Sequence, residues 1–104
     1  MKAAEAADTL SALGLEGRIA IFQLLVRAGP RGVRAGDIAA RLGAHASTLS
    51  ANLTVLSRAG LISGRREGRA IYYAADYARM RDLIGFLMED CCGDASAEDD
   101  RAQA

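Results

Sequence analysis

At 104 residues, with 51% hydrophobic side chains, three Tyr, two Phe and no Trp, the chain has the size and composition of one helical, alanine-rich domain. No apolar run approaches the ~18 residues of a membrane span, and MKAAEAADTL lacks the apolar core of a signal peptide, so the expectation is a cytoplasmic protein without a membrane partner. The neutral total, 13 basic against 13 acidic residues, conceals an asymmetry: residues 1–88 carry twelve Lys or Arg against seven Asp or Glu, a net +5, and residues 89–104 one against six, a net −5. A basic body offers the phosphate attraction that nucleic-acid binding uses, and the acidic end chiefly favours solubility.

Residues 2–13 read as a first helix, in which Ala3, Ala7 and Leu10 recur at helical spacing beside Ala6 and Leu13. A stronger second helix spans 16–28, where Ile19, Phe22 and Val26 widen a stripe of Ile21, Leu24, Leu25 and Ala28, and Gly29, Pro30 and Gly32 stop it. A short third helix over 35–42 is closed by Gly43, and a fourth begins near Ala46. On that fourth helix Leu49, Leu53, Leu56 and Gly60 share one side, while Ser47, Ser50, Ala51, Thr54 and Arg58 share another. One side packs and the other is small and polar. Short hydrogen-bonding side chains let a helix backbone approach base edges in a major groove, so the third and fourth helices read as a helix-turn-helix.

Two strands follow, over 61–65 and 69–74, rich in β-branched and aromatic residues and joined around Glu67 and Gly68. Arg65, Arg66 and Arg69 gather near the hairpin tip, where they can reach phosphates or a minor groove beside the helix. A final helix opens at Asp76 and runs to about Cys92, because Met80, Leu83, Ile84, Leu87, Met88 and Cys91 hold an apolar stripe. Residues 93–104, GDASAEDDRAQA, show no periodicity and predict an acidic disordered tail. The predicted fold is mainly α with a small β-hairpin: five helices and a two-stranded wing in one domain over 1–92.

The segments LGLEGRIAIFQLL at 13–25, DIAARLG at 37–43, STLSANLTVLSRAGLI at 47–62 and GRAIYY at 68–73 together resemble the ArsR/SmtB family of winged helix-turn-helix repressors, over roughly residues 5–92. The resemblance implies a homodimer joined through the first and last helices, with two recognition helices in successive major grooves of a partly palindromic operator. It also implies DNA release when a metal or metalloid binds. On this basis Ser47, Thr48, Ser50, Ala51 and Asn52 are the candidates for bases or phosphates, Thr54 for the DNA backbone, and Arg65, Arg66 and Arg69 for wing contacts. The chain departs from the family where a Cys-x-Cys metal box often stands, since those positions are Arg34, Ala35 and Gly36. The sole histidine, His45, sits where relatives usually carry a serine cap, which speaks against a histidine zinc site.

Cys91 and Cys92 are the only cysteines. Adjacent Cα atoms lie ~3.8 Å apart, short of the ~4.4–6.8 Å of an unstrained disulfide, so a mutual disulfide is disfavoured. Two thiolates can instead clamp one soft centre, and sulfur selects soft ions over magnesium or calcium. EDCCG at 89–93 is similar to the segment of arsenite-responsive members, in which a third cysteine follows; residues 94–104 hold none. The resemblance therefore implies trivalent arsenic or antimony as inducer, with no constitutive cofactor. Methylarsenite, which needs only two sulfurs, stands beside arsenite and antimonite. Two alternatives remain open: a thiol-redox or persulfide sensor of the same fold, and a winged helix that binds an acidic protein. An enzyme is not expected, because the chain has no CxxC pair, no nucleophile with an evident base and no glycine-rich phosphate loop after a strand.

Overall fold

The computed structural model describes residues 1–92; the predicted acidic tail lies outside the described residues. Five helices and three strands follow in the order α1 (Ala3–Leu13), α2 (Glu16–Ala28), β1 (Val33–Arg34), α3 (Ala35–Leu42), α4 (Ala46–Arg58), β2 (Ile62–Glu67), β3 (Ala70–Ala75) and α5 (Tyr77–Leu87). No single helix among the described residues is long and apolar enough to cross a membrane.

The apolar stripes read from periodicity converge on one core. Leu25 of α2, Ile38 of α3, Leu56 of α4 and Leu61 before β2 have no solvent exposure, and Ile21, Leu49 and Leu53 close around them. α1 contributes small residues, Ala6, Ala12 and Thr9, whose hydroxyl donates to the Glu5 carbonyl at 2.8 Å and so enters the interior satisfied.

The wing is a three-stranded antiparallel sheet in the order β1-β3-β2, not the predicted two strands. Val33 and Arg34 pair with Tyr73 and Tyr72, adding a short strand to the hairpin's outer edge. Two residues are too few to show an alternating pattern in sequence. Gly32 makes the pairing possible: its φ is +84°, and a Cβ there would fall 2.7 Å from the Tyr73 carbonyl oxygen. At the hairpin tip Glu67 pairs with Ala70, leaving Gly68 and Arg69 as a two-residue turn with glycine first at φ +64°.

α5 ends at Leu87, before the position expected for it. Its start follows the sequence reading, with the Asp76 side chain accepting from the Arg79 backbone N–H at 2.9 Å. Beyond Leu87, Glu89 and Asp90 would place two carboxylates at the negative end of the helix dipole. The chain turns instead, with the Cys91 N–H donating to the Met88 carbonyl at 2.9 Å and Asp90 and Cys92 at φ +61° and +58°. Cys91 therefore leaves the apolar stripe and is exposed.

Gly32→Ala should destabilise the fold by about 2–4 kcal/mol, combining a left-handed backbone with overlap against β3. Gly36→Ala, in helix α3 with nothing within 4 Å of its Cβ position, should stabilise by about 0.5–1 kcal/mol. Urea denaturation of both variants measures the contrast.

Candidate nucleic-acid interface

The α3–α4 turn is set by Gly43, in the left-handed region at φ +62°, after which the Ala44 N–H donates to the Ala39 carbonyl at 3.0 Å. α4 then starts from His45, which is exposed and makes no side-chain cap bond. Its inner stripe of Leu49, Leu53 and Leu56 is buried, and Ser47, Thr48, Ser50, Ala51 and Thr54 form a continuous exposed face. The Thr54 hydroxyl donates to the Ser50 carbonyl at 3.0 Å, so outward it presents a methyl and acceptor lone pairs.

Asn52 does not share that face. It is 9% exposed, lies on the inner side, and its Oδ1 accepts from Arg18 Nε at 3.1 Å. Asn52 is among the sequence candidates for bases or phosphates, but its angular position on the helix puts it one turn from Leu49 and Leu56.

The pleat of β2 separates the wing arginines. Arg65 lies opposite Tyr72, its guanidinium 5.6 Å over the ring; it pairs with Glu67 and donates to the Arg31 carbonyl at 3.0 Å. It is committed to bracing the wing. Arg66 lies opposite Ile71, on the same face of the sheet as Tyr73. Tyr73 in turn lines a cleft with Ala35, Ala39, Leu49 and Ser50, so the Arg66 face is the one turned toward the helix-turn-helix. Arg66 and Arg69 are exposed and form no ion pair among the described residues. Arg69 also shares an open groove with Arg34 and Gly36 at the start of α3. Arg34 entered the sequence reading only as a departure from a metal box; its position before a helix-turn-helix was the available signal.

The two cysteines sit apart from this surface, in the turn after α5. Their sulfurs are 3.1 Å apart and both side chains are exposed. Among the described residues no cluster of three or more His, Cys, Asp or Glu could hold a metal ion.

A helix-turn-helix domain model matches residues 17–65. A search of curated proteins finds no match. Among solved structures, an ArsR-like transcriptional regulator from Rhodococcus sp. RHA1 is 28% identical over 96% of this chain and 87% of its own, with a TM-score of 0.72. A homodimeric winged helix-turn-helix DNA-binding domain from Mycobacterium bovis, described as a possible ArsR-family transcriptional regulator, is 32% identical over 83% of this chain and 80% of its own, with a TM-score of 0.66. The chain belongs to the ArsR family. A further match is a possible transcriptional regulator for arsenical resistance, 32% identical over 80% of this chain and 86% of its own, with a TM-score of 0.65. ArsR-family proteins are DNA-binding transcriptional regulators and not enzymes, in keeping with the helix-turn-helix and wing.

Within this ArsR-family wing, Arg65→Ala should lower stability by about 0.5–1 kcal/mol, since a half-exposed ion pair and a cation–π contact are both modest. Arg66→Ala should leave the melting temperature unchanged. Calorimetry on the two variants distinguishes the bracing arginine from the outward one.

Proposed function

We propose that this chain is a homodimeric repressor that grips operator DNA with the outer face of α4 and the wing, and releases it when a trivalent arsenical or antimonial binds Cys91 and Cys92. The observation that carries the DNA half is the exposed run Ser47, Thr48, Ser50 and Ala51 beside a wing face that presents Arg66. Small donors and acceptors sit where base edges are read, and unpaired guanidinium groups where phosphates run. Thr54 is assigned to the DNA backbone and Arg69 to the wing tip; Arg65 supports Arg66 from the opposite face of the strand.

Leu10 on α1 and Ile84, Leu87 and Met88 at the end of α5 are 44–57% exposed, an apolar surface that suits a second copy of the chain. The homodimeric M. bovis relative supports association with a second copy, without bearing on which surface is used.

The inducer half rests on the sulfur geometry. Two sulfurs 3.1 Å apart, each bonded at ~2.3 Å, subtend about 85° at a shared atom. That angle suits a pyramidal trivalent centre better than tetrahedral zinc, and the relative described as a regulator for arsenical resistance points the same way. Linkage requires the ligand to favour the DNA-free geometry. A contact route exists: at the far end of α5, Arg79 donates to the Ala59 carbonyl at the end of α4 at 3.2 Å and faces Glu5 of α1 at 3.6 Å.

Operator binding followed by fluorescence anisotropy, with arsenite, antimonite, methylarsenite, zinc and peroxide added separately, tests the switch. Trivalent arsenicals or antimonite should dissociate the wild-type complex and leave Cys91→Ser and Cys92→Ser bound. Normal release of both variants would eliminate the site, and release by peroxide alone would favour the redox alternative. On the DNA side, Arg66→Ala should weaken binding to all sequences alike and reduce the slope of log K against log salt by about 2, one contact from each subunit of the dimer. An unchanged slope would remove Arg66 from the interface.

A further inference from the structure

The leucine stripe of α4 is flanked by a buried polar residue: Asn52 is 9% exposed and lies at the edge of the stripe, one turn from Leu49 and Leu56. Its partner, Arg18 of α2, contacts two other helices: Nε donates to Asn52 Oδ1 at 3.1 Å, and Nη1 to the Ala12 carbonyl at 3.4 Å. Ala12 is in the last turn of α1, where carbonyls lack helical partners and a cation meets the negative end of the dipole. The α2 backbone passes the same amide at Gly17, where a Cβ would lie in ordinary contact, 3.5 Å from Asn52 Nδ2.

We propose that Arg18 and Asn52 form a strut that sets the roll of α4 about its own axis, making both positioning residues for sequence-specific DNA binding. The inference rests on the reading of α4 as the DNA-facing helix. Leucine contacts are non-directional and tolerate small rotations, whereas a guanidinium–amide hydrogen bond weakens steeply off axis. On a helix whose side chains reach ~5–6 Å from the axis, a roll of ~20° carries the outer atoms about 2 Å, enough to break a contact to a base. The strut also ties α4 to α1, so the roll is fixed relative to the helix that carries the exposed Leu10.

The full-length wild-type protein first selects a duplex from a random-sequence library. Affinities for that duplex and for a scrambled one are then measured for wild type, Arg18→Met, Asn52→Leu and the double variant. Each single variant should lose about tenfold in affinity for the selected duplex, the scale of one lost base contact. Affinity for the scrambled duplex should not change, and the double variant should be no worse than either single one, because the pair acts as a unit. The double variant, with both polar partners replaced by apolar groups, keeps its fold, and the milder Arg18→Lys should move in the same direction as Arg18→Met. Wild-type discrimination in both single variants, additive losses, or equal losses on both duplexes would overturn the strut. Should the wild type enrich no sequence, the DNA reading itself fails and the strut with it; a selective wild type with indifferent variants sinks the strut alone.

Discussion

The division of α4 into two faces is the constraint on which the rest of the molecule depends. Leu49, Leu53 and Leu56 are buried against α2, α3 and the start of β2, and each removes a side chain whose burial stabilises by roughly 1.5–3 kcal/mol. That burial orients the helix in the body and leaves its opposite face to small polar residues. Nothing large projects there among residues 47–51, so the backbone stays available for close approach. The same packing explains why the short helix α3 persists at eight residues, below the length at which an isolated helix is stable in water. Ile38 anchors it in the shared core.

Electrostatics adds a second layer that composition conceals. A neutral chain is a poor phosphate binder only if its charges mix evenly, and here the acids concentrate after residue 88. Within the basic body, the pleat of β2 sends adjacent arginines to opposite faces. Arg65 contacts Tyr72, Glu67 and the Arg31 carbonyl, and this bracing on one face of the hairpin supports the presentation of Arg66 on the other. Counting arginines overstates the available cations, because a guanidinium paired inside the protein releases no counterions from DNA.

What was legible in sequence follows from signal length. The bounds of α2 and α3 emerge from periodic stripes that end in glycine, at Gly29 and Gly43, the start of α4 follows from the second of these, and the wing emerges from β-branched and aromatic runs around Gly68. β1 was not legible, because two residues carry no period and their pairing depends on the non-local approach of Gly32 to Tyr73. The end of α5 was misread because apolar spacing continues to Cys91 while the backbone does not. Asn52 belongs to the inner side of α4, and its partner, Arg18, is 34 residues distant in the chain, a separation that no local pattern reveals.

The early end of α5 changes how the cysteine turn can act on the body. Were Cys91 on a continuous helix at a buried seam, a ligand would have to open a packed interface before reaching the sulfur. In the turn after Leu87 both thiols are exposed, and Asp90 and Cys92 hold left-handed backbone angles, a region that Asp visits readily and that costs Cys92 roughly 1–2 kcal/mol. In the proposed switch, fixing the two sulfurs on one atom acts first on this turn and then on Met88 and Leu87 beside it. Those side chains are half exposed in the single chain, and they would lie against a second copy in the proposed dimer. In the proposed switch, leverage on DNA runs from this turn through the dimer surface, and the Arg79 and Arg18 hydrogen bonds are two of the links from the rest of the body to α4.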